Sequence, residues 1–160
     1  MIPKNQRIGT TAIVSVRGPL AHHRDPFFDS FEAVRGRVAD ALAGRPSMVV
    51  LDIDSPGGLV AGMLETSDAL RSACSAAGVR LEAHIGGQAT SAAYALACAA
   101  GRIVASPTAV IGSVGVIDAL IDATAQDRSL GLAYSIVASG ARKSDGLPHA
   151  AVSSGAIVAT

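Results

Sequence analysis

The chain has 160 residues, 49% apolar and 16% charged, and its 13 basic and 13 acidic side chains cancel. This length and apolar content suit one domain with a real core and exclude a disordered chain. The zero net charge, the 3% aromatic content and the absence of Trp leave neither a basic patch for phosphates nor a stacking platform for bases, so nucleic acid is excluded as a partner.

Thr11 to Val16 is rich in β-branched residues and reads as a strand, ended by Arg17-Gly18-Pro19. Pro26 to Ser30 reads as a loop. Phe31 to Leu42 carries Phe31, Val34, Val38 and Leu42 near helical spacing, and Gly44-Arg45-Pro46 breaks that helix. Met48 to Ile53 is a nearly continuous apolar run, the pattern of a parallel strand buried on both faces. Asp54-Ser55-Pro56-Gly57-Gly58 follows as a tight turn. Val60 to Ala77 reads as a helix capped by Gly78, and Val79 to Ile85 as a strand. Gly86-Gly87-Gln88 reads as a turn, Ser91 to Ala100 as a helix and Arg102 to Ala105 as a strand. Ala109 to Ile117, with Gly112-Ser113-Val114-Gly115, reads as an irregular turn with a short strand. Asp118 to Leu130 reads as a helix ended by Gly131, and Leu132 to Ala138 as a strand. Strands alternating with helices predict an α/β fold with a mainly parallel sheet and function at the strands' carboxyl ends. The chain is expected to form a single domain, 1–160. Its weakly patterned, small-residue tail from Ala150 to Thr160 suggests a domain cut short before its next helix.

Cys74 and Cys98 lack the paired spacing of a zinc site, so no metal is expected. Each lies in an Ala-rich stretch where Cys behaves as a small buried hydrophobe. No apolar h-region follows Met-Ile-Pro-Lys-Asn-Gln-Arg, and no apolar run reaches the about 20 residues of a membrane span. A soluble, cytoplasmic protein is expected; an anchor on a longer parent would leave no trace in this sequence.

Three glycine-rich turns, Ser55 to Gly58, Gly86-Gly87 and Gly112 to Gly115, sit at strand ends. Glycines in the first let backbone N–H groups point into a site, as an oxyanion hole requires, although a tight turn alone also needs glycine. Ser91 follows a strand and a Gly-rich turn at the start of an Ala-rich helix. That order follows the logic of a nucleophile elbow, without a GxSxG motif. A helix N-cap calls for the same residue type. A serine hydroxyl needs an activating base. Of His22, His23, His84 and His149, none stands where a Ser-His-Asp reading is compelling; His149 is the alternative retained. Lys143, in Ser139-Gly140-Ala141-Arg142-Lys143-Ser144, can act as a base only if desolvation or nearby positive charge lowers its proton affinity. On its own it reads as a solvated loop cation.

Four blocks in order change these weights: Val49 to Gly58, Ala89-Thr90-Ser91-Ala92-Ala93-Tyr94, Ile111-Gly112-Ser113-Val114-Gly115-Val116, and Gly140-Ala141-Arg142-Lys143. Together they resemble the signal peptide peptidase A (S49) family of serine peptidases, in particular its phage-type, capsid-protease-like members. The likeness runs from about Ile13 to Pro148, with Ser91 and Lys143 separated by 52 positions. The resemblance implies the ClpP/crotonase fold, built of repeated ββα units, with chains assembling into homo-oligomers whose active sites lie near subunit interfaces. It implies Ser91 as nucleophile, Lys143 as general base, and the N–H groups of Gly58 and Ala92 as oxyanion donors. Gly57 would support that hole, and Ser113 would orient Lys143. No cofactor is implied. The substrate would be a peptide or protein with small or aliphatic side chains. It would be cut in capsid or scaffold maturation, or in the degradation of leftover signal peptides. In shorter relatives the lysine can come from a neighbouring subunit. The family's membrane anchor is not read in this sequence, which fits the cytosolic, phage-like reading better than periplasmic signal-peptide digestion. The helices that usually follow its lysine, which bear on assembly, are not read either. Two other functions share parts of the pattern: a crotonase-like acyl-CoA enzyme and a catalytically silent assembly module.

Overall fold

The computed structural model describes residues 5–152. The chain forms two compact units, Met1–Val116 and Ile117–Thr160. In the first, the elements in order are β1 (Gln6–Ile8), β2 (Thr11–Arg17), β3 (Leu20–Ala21), β4 (Asp29–Ser30), α1 (Phe31–Ala43), β5 (Met48–Ser55), α2 (Met63–Ala76), β6 (Arg80–Thr90), α3 (Ala92–Ala97), β7 (Arg102–Ala105) and β8 (Val110–Gly112). The main sheet runs β1-β2-β5-β6-β7, with β8 also paired to β6. Only the β1–β2 pair is antiparallel among the described strands; the rest are parallel. This is the α/β architecture with a mainly parallel sheet that the alternation of elements predicts.

Period-2 burial explains the core. Val49, Leu51 and Ile53 of β5 and Leu81, Ala83 and Ile85 of β6 face the helices and are buried. Phe31, Val34 and Val38 of α1, Leu70 and Cys74 of α2, and Ala92, Ala93, Leu96 and Ala97 of α3 join the same core. Each large side chain there contributes about 1.5–3 kcal/mol by leaving water. The opposite face of β5 is not buried as the apolar run predicts: Val50 and Asp52 are half-buried and Asp54 is exposed. On that face Asp52 pairs with Arg17 and with His84 on the flanking strands. Charged side chains there need water or partners, and each strand finds partners across the ladder.

α1 begins where the sequence places it. Ser30 is extended and its hydroxyl accepts the Ala33 N–H at 3.1 Å. α2 starts later than expected, because Gly62 is left-handed and lies against the His22 ring, where no Cβ fits. Its end is as expected: Gly78 is left-handed and the Val79 N–H returns to Cys74 O at 2.9 Å. The expected turn at Gly86-Gly87-Gln88 is instead a bulge within one long strand. Ile53 stands opposite Ile85, but Ser55 stands opposite Ala89. There β6 changes partners, from β7 at Glu82–Ile85 to β8 at Gln88–Thr90. α3 is shorter than expected because Ala99 and Ala100 close tighter turns onto Leu96 and Ala97. Cys98 at its end is exposed, against expectation, while Cys74 is buried. Burial pushes the Cys74 thiol's pKa up.

The second unit holds α4 (Thr124–Ser129). The expected helix from Asp118 is cut down because the Asp122 carboxylate accepts the Thr124 N–H and hydroxyl, at 3.0 and 2.6 Å, and starts the helix there. No strand forms at 132–138; an alternating pattern gives no strand without a neighbour to take its N–H and C=O groups. No helix among the described residues is long and apolar enough to cross a membrane.

Candidate active site

β6 enters α3 through Ser91, whose φ is 53° and ψ −123°. A positive φ at a residue with a Cβ costs about 1–3 kcal/mol and persists only where its surroundings impose it. The Ser91 N–H donates to Gly112 O on β8 at 2.9 Å, and the Ser91 carbonyl accepts the Ala95 N–H at 3.1 Å. The half-buried Ser91 side chain makes no cap bond to α3. Ser91 thus stands at the N-cap position of α3 without the side-chain cap bond that Ser30 makes to α1.

The Gly57-Gly58 turn is pressed against this elbow. Gly57 has φ +95°, and a Cβ on it would lie 2.6 Å from Thr90 O, 2.8 Å from Ser91 Cβ and 3.0 Å from Ala92 N. Gly58 bridges to Leu20: the Leu20 N–H donates to Gly57 O at 2.8 Å and the Leu59 N–H to Leu20 O at 2.9 Å. A side chain on Gly58 would collide with the Leu20 backbone. Both glycines therefore serve close backbone approach. Ala92 opens α3, so its N–H has no partner within the helix. Gly57, Gly58, Ser91 and Ala92 thus meet at the carboxyl ends of β5 and β6. Ser113 follows Gly112 at the end of β8, exposed and also left-handed at φ 53°.

Three supports of this corner have no assigned role in the sequence pattern. Ser55 is fully buried; its hydroxyl donates to Gly18 O at 2.6 Å and accepts the Gly57 N–H at 3.1 Å. The Thr90 hydroxyl donates to Pro56 O at 2.9 Å. The Asp54 carboxylate accepts the Gln88 N–H at 3.3 Å and fills the space where a Gly87 side chain would stand. The available signal was a serine and a threonine beside glycine turns, where hydroxyls commonly bond nearby backbone.

Lys143 belongs to the second unit. It lies in a run of turns, its N–H donating to Gly140 O at 3.2 Å, with its side chain exposed. Arg142 pairs with Asp145 at 2.8 Å. His149 Nδ1 stands 3.0 Å from Oδ2 of the buried Asp127, and its ring stacks on Tyr134 at 4.0 Å. Of the other histidines, His22 donates through Nδ1 to Ala61 O at 2.7 Å, and His84 is exposed on the sheet face away from the helices. Among the described residues no three His, Cys, Asp or Glu side chains cluster as metal ligands would.

The family model for Peptidase family S49 matches residues 74–156. The head-tail preconnector protein GP5 of Enterobacteria phage P21 is 31% identical over 147 residues, covering 84% of this chain and 28% of that protein. Among solved structures, the 1510-N membrane-bound stomatin-specific protease in complex with a substrate peptide aligns with a TM-score of 0.51 and 14% identity. That alignment covers 66% of this chain and 45% of the protease. An enoyl-CoA hydratase from Polaromonas aligns with a TM-score of 0.49 and 19% identity, over 68% of this chain and 49% of the other. The chain thus spans less than a third of its phage relative and under half of the aligned protease. Its fold is the ClpP/crotonase-like one.

Proposed function

The chain belongs to peptidase family S49, and from that premise we propose that it is a serine endopeptidase working through a Ser91/Lys143 dyad. The observation that carries this reading is the left-handed backbone of Ser91 at a strand-to-helix elbow, with a hydroxyl that caps nothing. Ser91 Oγ attacks the scissile carbonyl carbon while its proton passes to Lys143 Nζ. The oxyanion is held by the N–H groups of Gly58 and Ala92, with Gly57 keeping the two backbones in contact. The C–N bond then breaks, the amine leaves with the proton from Lys143, and water releases the acyl group in a second round. Ser113 orients Lys143. Leu59 and Val60, about half exposed beside the oxyanion turn, offer a wall for small or aliphatic substrate side chains.

We read residues 1–160 as a single peptidase domain, both units included. It acts on peptide or protein substrates in the cytoplasm of a bacterial or phage-infected cell, as a homo-oligomer with the site near a subunit interface. The similarity to a phage head-tail preconnector protein supports capsid or scaffold processing over degradation of leftover signal peptides. One observation favours a second reading, a catalytically silent assembly module: the Lys143 side chain is exposed in the single chain, whereas a lysine base must be desolvated. A fluorophosphonate probe separates the two. The peptidase reading expects Ser91 to be the labelled residue, found by mass spectrometry, and Ser91→Ala or Lys143→Ala to abolish labelling and peptide cleavage. Undiminished labelling of Lys143→Ala would remove the dyad, and an unlabelled wild-type chain would favour the silent module.

A further inference from the structure

The segment that carries Lys143 lies in neither helix nor strand. Its local bonds, from Lys143 N–H to Gly140 O, Asp145 N–H to Arg142 O, Leu147 N–H to Ser144 O and Ala150 N–H to Leu147 O, are all 3.2 Å long and span three residues each. Such turns set the shape of a loop but not its place. Longer-range contacts hold its carboxyl end. The Ala123 N–H donates to Pro148 O at 2.7 Å. His149 Nδ1 donates to Asp127 Oδ2 at 3.0 Å, and the His149 ring lies 4.0 Å from that of Tyr134 at an interplanar angle of 14°.

Asp127 is well placed to be the fixed point. Its N–H is bonded to Ala123 O, and its carbonyl takes the N–H groups of Leu130 and Leu132, at 3.1 and 2.9 Å. Its side chain is 10% exposed, against 40% for His149. A carboxylate so withdrawn from water keeps a hydrogen-bonding partner, because losing it leaves a desolvated charge. The imidazole is held in one orientation by that bond at its edge and by the phenol ring on its face.

We propose that Asp127, His149 and Tyr134 are positioning residues for Lys143: they anchor the loop's carboxyl end to α4 and so fix where the lysine backbone stands. The proposal rests on the reading of Lys143 as the general base. His149 acts through the loop and exchanges no proton with substrate.

The test uses the full chain and the rate of fluorophosphonate labelling at Ser91, resolved into a maximal rate, kinact, and a half-saturating concentration, KI. His149→Phe retains the ring stack and removes the bond to Asp127. It is expected to lower kinact about 10- to 100-fold, the range a small misplacement of a catalytic group produces, with KI unchanged and the thermal midpoint lowered while the chain stays folded at the assay temperature. His149→Asn places an amide N–H where Nδ1 stands and should recover most of the rate. Asp127→Asn should fall between the two, and Lys143→Ala should be inert in every background. Wild-type kinact in His149→Phe, with Lys143→Ala inert, overturns the positioning role and leaves the dyad standing. A loss in His149→Asn as large as in His149→Phe, with Lys143→Ala still reactive, makes His149 the base and overturns both. A loss of rate that matches the fraction of unfolded chain also overturns the proposal. An unlabelled wild-type chain overturns it together with the reading beneath it.

Discussion

Ser91 and Gly57 show how much one backbone angle decides. In the sequence, a serine opening an Ala-rich helix reads equally as a cap or as a nucleophile, since both uses call for the same small polar residue. The φ of 53° and the missing side-chain cap bond are what the nucleophile reading draws on. The angle is held by non-local neighbours: Gly112 O takes the Ser91 N–H, and Gly57 leaves no room for the elbow to relax. Strain of this kind has a measurable consequence. Ser91→Gly and Ser91→Ala both remove the hydroxyl, but only glycine is at ease at this φ. Ser91→Gly is expected to be about 1–2 kcal/mol more stable than Ser91→Ala in denaturant unfolding. Equal stability would mean that the elbow carries no strain.

At the scale of elements, the turn after β5 and the start of α4 each depend on one side chain. Ser55 ties Gly18 O to the Gly57 N–H from a fully buried position. Ser55→Ala leaves both groups without that partner and should cost about 1–3 kcal/mol. It should also slow probe labelling of Ser91, because the oxyanion turn loses its brace; unchanged unfolding and labelling would show the turn to be held by its glycines alone. In α4, the hydrogen bonds from Thr124 hold the Asp122 carboxyl below its ordinary pKa. A lowered folded value means that the unfolded chain takes up the proton first as pH falls. The stabilisation is therefore full above the ordinary aspartate range and is lost as pH drops through the lowered value. Hydrogen-exchange protection of the Thr124 amide should survive through the ordinary range and fail below it. Asp122→Ala should lack that protection at every pH. The boundaries that differ from the sequence reading, at Gly62, Gly86-Gly87 and Asp122, share a cause. Each is set by a contact with a distant ring, a register on a neighbouring strand or a side-chain bond, none of which hydrophobic periodicity reports.

For the whole molecule, the same contrast separates fold from site. Strand and helix alternation was legible from Thr11 to Ala105, because one buried face imposes period 2 on β5 and β6 and a helical stripe on α1. Beyond Ile117 the patterns were weaker and misled at 118–123 and 132–138. The exposed Lys143 sets the last expectation. A lysine base needs desolvated surroundings, and a subunit interface would supply them if Lys143 served the Ser91 of a neighbouring chain. Ser91→Ala and Lys143→Ala chains, each inert, are expected to recover labelling at Ser91 of the Lys143→Ala chain once dissociated and reassembled together. A mixture as inert as its parts would place the dyad within one chain. The sequence alone determined the α/β class, the glycines at Gly57 and Gly58, the family and the serine and lysine to examine, because these follow from residue type, order and short-range sterics. Only the tertiary structure decided that Ser91 has a positive φ and makes no side-chain cap bond, that β6 runs on through a bulge to a new partner, and that His149 meets Asp127. Those features arise where residues far apart in sequence press on one another, and no local pattern records that pressure.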